Sequence, residues 1–180
     1  MAEKKSKKDL IKVHLVRHGS AGHRDNSNPF DSDRKLDEKG HTQARRLIAE
    51  LADANIKKIV SSPLIRCVQT VEPLANHLGL EVETNKRFAE LTPSDKAWRA
   101  LESLTADLEK SGSKHSRSVV VCSHGDIIPD LLRVAVMRGT RVIGRSGGAK
   151  GSIWTLTGWD GVTFATAQYL SQKDFSAVSD

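Results

Sequence analysis

Ile11-Lys12-Val13-His14-Leu15-Val16-Arg17-His18-Gly19-Ser20 is the stretch around which the rest of the chain is organised. Residues 11–16 are apolar apart from Lys12 and His14, which suits a buried or half-buried strand. The run stops at Arg17-His18-Gly19. A strand that runs into a glycine turn presents its last side chains at the carboxyl edge of a sheet, where open α/β folds bind ligands. Gly19 permits the tight turn and a close backbone approach. An arginine and a histidine side by side there fit an anion clamp next to a nucleophile or base. Taken alone, the tripeptide equally fits a strand end with two solvated polar residues.

Working outward, strands and helices alternate. A polar loop over 23–35, with Asn26, Asn28, Pro29 and three aspartates, is long for a plain connection and reads as a lid or rim. Asp37 is placed as an N-cap for a helix over 38–51, whose Ala44, Leu47, Ile48 and Leu51 keep helical spacing; Gly40 reads as a minor cost. A second strand is expected over 56–60. A helix opening at Pro63 and closing at Gly79 follows, kinked or split by Pro73. Residues 81–83 suit a third strand, 85–93 a loop and 97–108 a helix. Ser118-Val119-Val120-Val121-Cys122 is the most strand-like run and leads through His124-Gly125-Asp126 into a helix over 127–137. A glycine- and arginine-rich loop, 139–151, precedes a hairpin of 152–156 and 162–167, turned at Asp160-Gly161. The order predicts α/β: a three-layer αβα sandwich with a mainly parallel sheet, as one domain over 11–180 behind a disordered basic tail, 1–10.

The bounds agree. A chain of 180 residues, 38% hydrophobic and 28% charged, suits one globular domain. No apolar run reaches the ~18–20 residues of a membrane span, and no signal-peptide core follows the basic start. A cytoplasmic protein that binds no membrane is expected. Half of the +6 net charge lies in residues 1–12, and aromatic residues make up 4%. A small anionic substrate fits that balance, and nucleic acid does not. Cys67 and Cys122 read as packed thiols in a reducing compartment.

Three strand ends would meet at one edge, which gathers Arg17, His18, Arg66 and His124. Burying two imidazoles and two guanidiniums without an anion is costly. Around a phosphoryl group they make sense, since arginine forks match its oxygens, one histidine can attack phosphorus and the other can polarise the oxygens. Rival motifs fail. Neither cysteine has an arginine six positions on, where Pro73 and Ile128 stand, so a cysteine-dependent phosphatase is excluded. Gly139 to Ser146 mimics a P-loop, but Arg145 replaces its lysine and a helix precedes it. His14, His23, His41, His77 and His115 lack metal-ligand spacing, so no metal and no cofactor are expected. Trp98, Trp154 and Trp159 are read as core or surface cover. Lys150 and Arg145 are read as solvated loop charges ahead of substrate rim.

Leu15-Val16-Arg17-His18-Gly19, Leu36 through Gly40 to Gln43-Ala44, Ser61-Ser62-Pro63-Leu64-Ile65-Arg66 through Thr70, Glu90 and Ser123-His124-Gly125 stand in an order that resembles the histidine phosphatase superfamily, with its phosphoglycerate-mutase-like fold. The ordered set spans about residues 11–140 and is most similar to its small bacterial SixA-type branch. Residues 149–154 also resemble the histidine phosphatase domain fused to Nudix hydrolases, with no Nudix part in this sequence. The resemblance implies that His18 becomes phosphohistidine, that Arg17, Arg66 and His124 hold the phosphate, and that Glu90 is the proton donor. The loop after Ser20 and the short chain depart from the mutases. Ser20 is expected to touch the phosphate, with Gln43 and Asp126 as supports.

The expected activity is metal-independent hydrolysis of a phosphate monoester of a small metabolite or nucleotide. The alternatives are a phosphohistidine protein as substrate and a non-catalytic phosphate-binding module. Glu90, between Ala89 and Leu91, reads locally as either an acid or a surface carboxylate pairing with Lys86 or Arg87; the family order favours the acid. An acid matters for an alkoxide leaving group far more than for an imidazole, which favours an ester.

Overall fold

The computed structural model describes residues 11–24, 27, 31–110 and 115–175. The expected tail and the Asn26, Asn28 and Pro29 part of the loop lie outside them. Strands β1 (Ile11–Arg17), β2 (Ile56–Ser61), β3 (Val82–Thr84), β4 (Arg117–Ser123), β5 (Arg141–Ile143), β6 (Ile153–Thr157) and β7 (Thr166–Leu170) form one sheet in the order β3-β2-β4-β1-β6-β7-β5. Only β6 runs against the others, so the sheet is mainly parallel. Helices α1 (Glu38–Leu51) and α2 (Ile65–Leu78) cover one face; α3 (Ser94–Lys110) and α4 (Ile127–Met137) cover the other. None of the described helices is long and apolar enough to cross a membrane.

β4 shows why the layers form. It lies between β1 and β2, and all seven of its residues are buried. Its valines alternate faces, Val119 and Val121 packing under α3 and α4, Val120 and Cys122 under α1 and α2. Burial on both sides makes an unbroken apolar run the natural sequence for such a strand. Register then positions the site. Arg17 pairs with Ser123, and Ser61 with Cys122. The ends of β1, β2 and β4 therefore finish level, with His18 N–H donating to Ser123 O (3.0 Å) and Ser62 N–H to Cys122 O (2.9 Å).

Asp37 caps α1 by accepting from Gly40 N–H at 2.8 Å. Four expectations change. Helix α2 runs through Pro73 as one helix instead of splitting in two, because Val71, Leu74 and Ala75 on either side bury against the sheet. That burial outweighs a lost hydrogen bond. The second hairpin strand begins at Thr166, not 162, since Trp159 and Phe164 turn inward and stack at 4.8 Å between centroids. Asp160 accepts from Val162 N–H and Thr163 N–H (2.9 Å each), so it shapes the tip of a longer loop. Part of the 139–151 loop is the edge strand β5, whose Arg141, Val142 and Ile143 are all exposed and carry no inside–outside alternation to betray it. The 23–35 loop contains a 3₁₀ turn, Asp31–Asp33.

Candidate active site

The turn after β1 works by close backbone contact with α1. A Cβ on Gly40 would lie 2.0 Å from Ser20 O, and one on Gly19 would lie 3.0 Å from Gly40 O. The glycine read as a minor helix cost is thus what lets the first turn of α1 press against the His18-Gly19-Ser20 backbone. Thr70 Oγ1 accepts from Gly19 N–H (2.9 Å) and donates to Arg66 O (2.6 Å), joining this turn to α2. Gly125 leaves room for Arg17, whose Nη2 would be 2.7 Å from a Cβ there.

His18 is 4% exposed, and its ring lies edge-on to that of His124, 5.3 Å between centroids. Its Nδ1 is 2.8 Å from Gly19 O. A carbonyl can only accept, so Nδ1 carries the hydrogen and Nε2 keeps its lone pair. Burial, above all, lowers the His18 pKa to about 3, with His124, Arg66 and Arg17 adding to the fall against the opposing Gly19 hydrogen bond. The Arg66 and Arg17 guanidiniums do less to keep this ring neutral than its removal from water does.

Arg66 is fully buried. Its Nη1 donates to Asp31 O (2.9 Å), and its Nη2 pairs with Glu90 Oε1 (2.9 Å) and Asp31 Oδ2 (3.3 Å). Glu90 Oε1 also lies 3.4 Å from His124 Nδ1, and its Oε2 lies 3.6 Å from Arg24. Glu90 therefore pairs with Arg66 and Arg24, not with Lys86 or Arg87. His124 is fully buried as well, its Nε2 2.7 Å from Ser62 Oγ and 3.4 Å from Cys67 Sγ. Those partners turn Nδ1 toward Glu90. Arg17 Nη1 donates to Gly148 O. The Nε groups of Arg17 and Arg66 are buried without a hydrogen-bond partner among the described residues. Unpaired buried donors are costly, and oxygens of an anion would satisfy them.

A cavity of about 450 Å³ opens over these groups, lined in part by Arg17, His18, Arg24, Arg34, Glu90 and Lys150. Lys150, read as a solvated loop charge, lines it; Arg145 instead pairs with Asp174 beside a neighbouring cavity. Ser20 Oγ donates to Asp37 Oδ2 (2.7 Å), and Ser20 N–H donates to Gln43 Oε1 (2.8 Å), so its hydroxyl hydrogen serves the turn. Asp126 lines the cavity and accepts from Leu91 N–H (2.9 Å). Leu91 stands 90% exposed at the mouth with φ +62°. Asp31, Ser62 and Leu91 were missed as site residues. Only Ser62 carried a signal, its place one step beyond a strand end.

Residues 13–106 match the family model of the histidine phosphatase superfamily (branch 1). An 8-oxo-(d)GTP phosphatase of Mycolicibacterium smegmatis is 31% identical over 166 residues, which cover 92% of this chain and 50% of that protein. The chain spans about half the length of the curated relatives it matches. Two solved structures share its fold. The protein histidine phosphatase SixA complexed with tungstate superposes with a TM-score of 0.67 at 22% identity, covering 89% of this chain and 94% of that one. Phosphoglycerate mutase from Bacillus anthracis gives 0.62 at 16%, covering 93% and 94%.

Proposed function

We propose that this chain, which belongs to the histidine phosphatase superfamily, hydrolyses a phosphate monoester of a small metabolite or nucleotide through a phosphohistidine on His18. The observation that carries the reading is the tautomer of His18. Its Nδ1–H is bonded to Gly19 O, so the bare Nε2 is available as a nucleophile that burial keeps neutral. Nε2 attacks phosphorus in line, the P–O bond to the leaving group breaks, and the departing oxygen takes a proton from Glu90. Water then attacks the phosphohistidine, returns a proton to Glu90 and releases phosphate from Nε2. Arg17, Arg66 and the Nδ1–H of His124 stabilise the phosphoryl oxygens as charge shifts. Arrival of the phosphate transfers Arg66 from Glu90 to the phosphoryl group and frees the carboxyl group for its proton.

The position of Glu90, 3.4 Å from His124 and on the cavity wall, supports an ester over a phosphohistidine protein, because the poorer leaving group gains far more from an acid. The relative named as an 8-oxo-(d)GTP phosphatase supports a phosphorylated small molecule. The test is phosphoryl trapping with an aryl phosphate and no added metal. Wild type should hold acid-labile, base-stable phosphate, while His18→Ala should hold none, turn over at least ~10⁴-fold more slowly and keep its unfolding transition. Equal labelling of both proteins refutes His18 as nucleophile. No turnover by wild type, with phosphate still bound, leaves a phosphate-binding module.

A further inference from the structure

The cavity carries more positive charge than one phosphoryl group takes up. Arg17 and Arg66 are assigned to the phosphoryl oxygens, yet Arg24, Arg34 and Lys150 line the same walls. Arg34 is partly neutralised by Asp31 at 2.8 Å and donates to Ala21 O at 3.1 Å. Arg24 faces Glu90 at 3.6 Å. Lys150 has no ion pair among the described residues. The nearby Asp37 carboxylate is already occupied by Ser20 Oγ, Gly22 N–H and Gly40 N–H.

The backbone of Lys150 is nevertheless anchored. Its carbonyl accepts from Gln43 Nε2 (3.2 Å), and the next residue, Gly151, donates its N–H to the carbonyls of Arg17 and His18 (3.1 and 3.2 Å). Gly151 adopts φ +72°, where a Cβ would press on Gln172 and Gln43. The anchor ties this lysine to the nucleophile's own backbone. Burial lowers its pKa, and the Arg34, Arg17 and Arg66 guanidiniums lower it further against the pull of Asp37. An ammonium held among guanidiniums with no ion pair of its own is a site for an anion.

We propose that Lys150, with Arg34 beside it, binds a second anionic group of the substrate, so that the preferred substrate carries a phosphate or carboxylate close to the scissile phosphoryl group. The proposal rests on the phosphatase reading for its first anion. A cavity of about 450 Å³ is large enough for a nucleotide or a phosphorylated sugar acid.

The experiment compares kcat/KM for a nucleoside 3′,5′-bisphosphate and a phosphoglycerate, both monoesters with a second anion, with that for an aryl phosphate, in wild type, Lys150→Gln and Lys150→Arg. Arg145→Gln removes a cation from the far side of the same loop as a control. Wild type should prefer at least one two-anion substrate. Lys150→Gln should cut that preference tenfold or more, Lys150→Arg should retain most of it, and Arg145→Gln should leave it unchanged. Loss with the bisphosphate alone identifies a second phosphate; loss with the phosphoglycerate alone identifies a carboxylate. A preference for the aryl phosphate, or one untouched by Lys150→Gln, overturns the subsite and leaves the phosphatase reading standing. Absence of all turnover overturns the phosphatase reading instead. The subsite is then judged by calorimetry, where pyrophosphate should bind wild type at least tenfold more tightly than phosphate and Lys150→Gln should abolish that margin. An equal margin in both proteins overturns it.

Discussion

The floor beneath the cavity, with His18 on its wall and Arg66 and His124 buried behind, is at most 4% exposed, and each side chain is fixed by a hydrogen bond: His18 to the carbonyl of its neighbour Gly19, Arg66 to Asp31 and His124 to Ser62. Arg24 and Leu91 at the rim are exposed, and Lys150 is held by its backbone alone, its side chain without an ion pair among the described residues. The floor is preorganised for one chemical group, which is what stabilising a transition state requires. In the phosphatase proposed above, the rim leaves groups free to meet whatever the phosphoryl group is attached to. Chemistry and substrate choice are therefore separable here, and substitutions should fall into two kinds.

After loss of the nucleophile itself, the largest effect should come where floor meets rim, at Glu90. Glu90→Gln should slow aryl phosphates by a factor that grows with leaving-group pKa, reaching ~10²–10⁴ for the poorest. A loss that stays constant along the series removes Glu90 from the acid role, and with it the preference for an ester substrate. Next is Arg66→Lys, which should cost on the order of 3 kcal/mol in the barrier, read as kcat/KM, because a point charge cannot serve two oxygens. A near-normal rate would make this arginine structural and break the distinction between floor and rim. Gly40→Ala should destabilise by about 1–3 kcal/mol in urea unfolding, since its Cβ meets backbone at 2.0 Å and not a yielding side chain. Activity should fall with it as the His18 turn shifts.

pH reports on the buried His14 and His18. The folded-state pKa values of His14 and His18 are lowered to about 4 and about 3, in each case chiefly by burial. The unfolded chain, with histidine pKa near ~6.5, then takes up protons first. Stability present above pH 6.5 should drain as pH falls toward 4, and His14→Gln should flatten that loss in urea midpoints measured across the range. Rates limited by chemistry should not fall through protonation of His18 in the same window. The smallest effect is expected at the rim. Leu91→Asn should raise stability by up to ~1 kcal/mol by relieving a left-handed leucine, while raising KM for substrates with apolar leaving groups. Unchanged stability would show that the bond from Leu91 N–H to Asp126 already offsets the strain.

The chain's own order of residues determined the alternation of strands and helices, the Asp37 cap and the meeting of Arg17, His18, Arg66 and His124 at one edge, because each rests on local signals: an apolar run, a capping side chain, a glycine or proline after a strand. Only the tertiary structure decided the rest. The tautomer of His18 depends on a carbonyl oriented by the packing of its turn, and its neutrality depends on burial, which no local pattern encodes. Gly40 reads as a helix defect until the Ser20 backbone is found against it. Helix α2 survives Pro73, and β5 pairs with β7, because neighbouring elements supply the energy their own sequences lack. Lys150 and Asp31 reach the site from loops whose paths are set by long-range hydrogen bonds and ion pairs, and such partners lie too far along the chain for spacing to reveal.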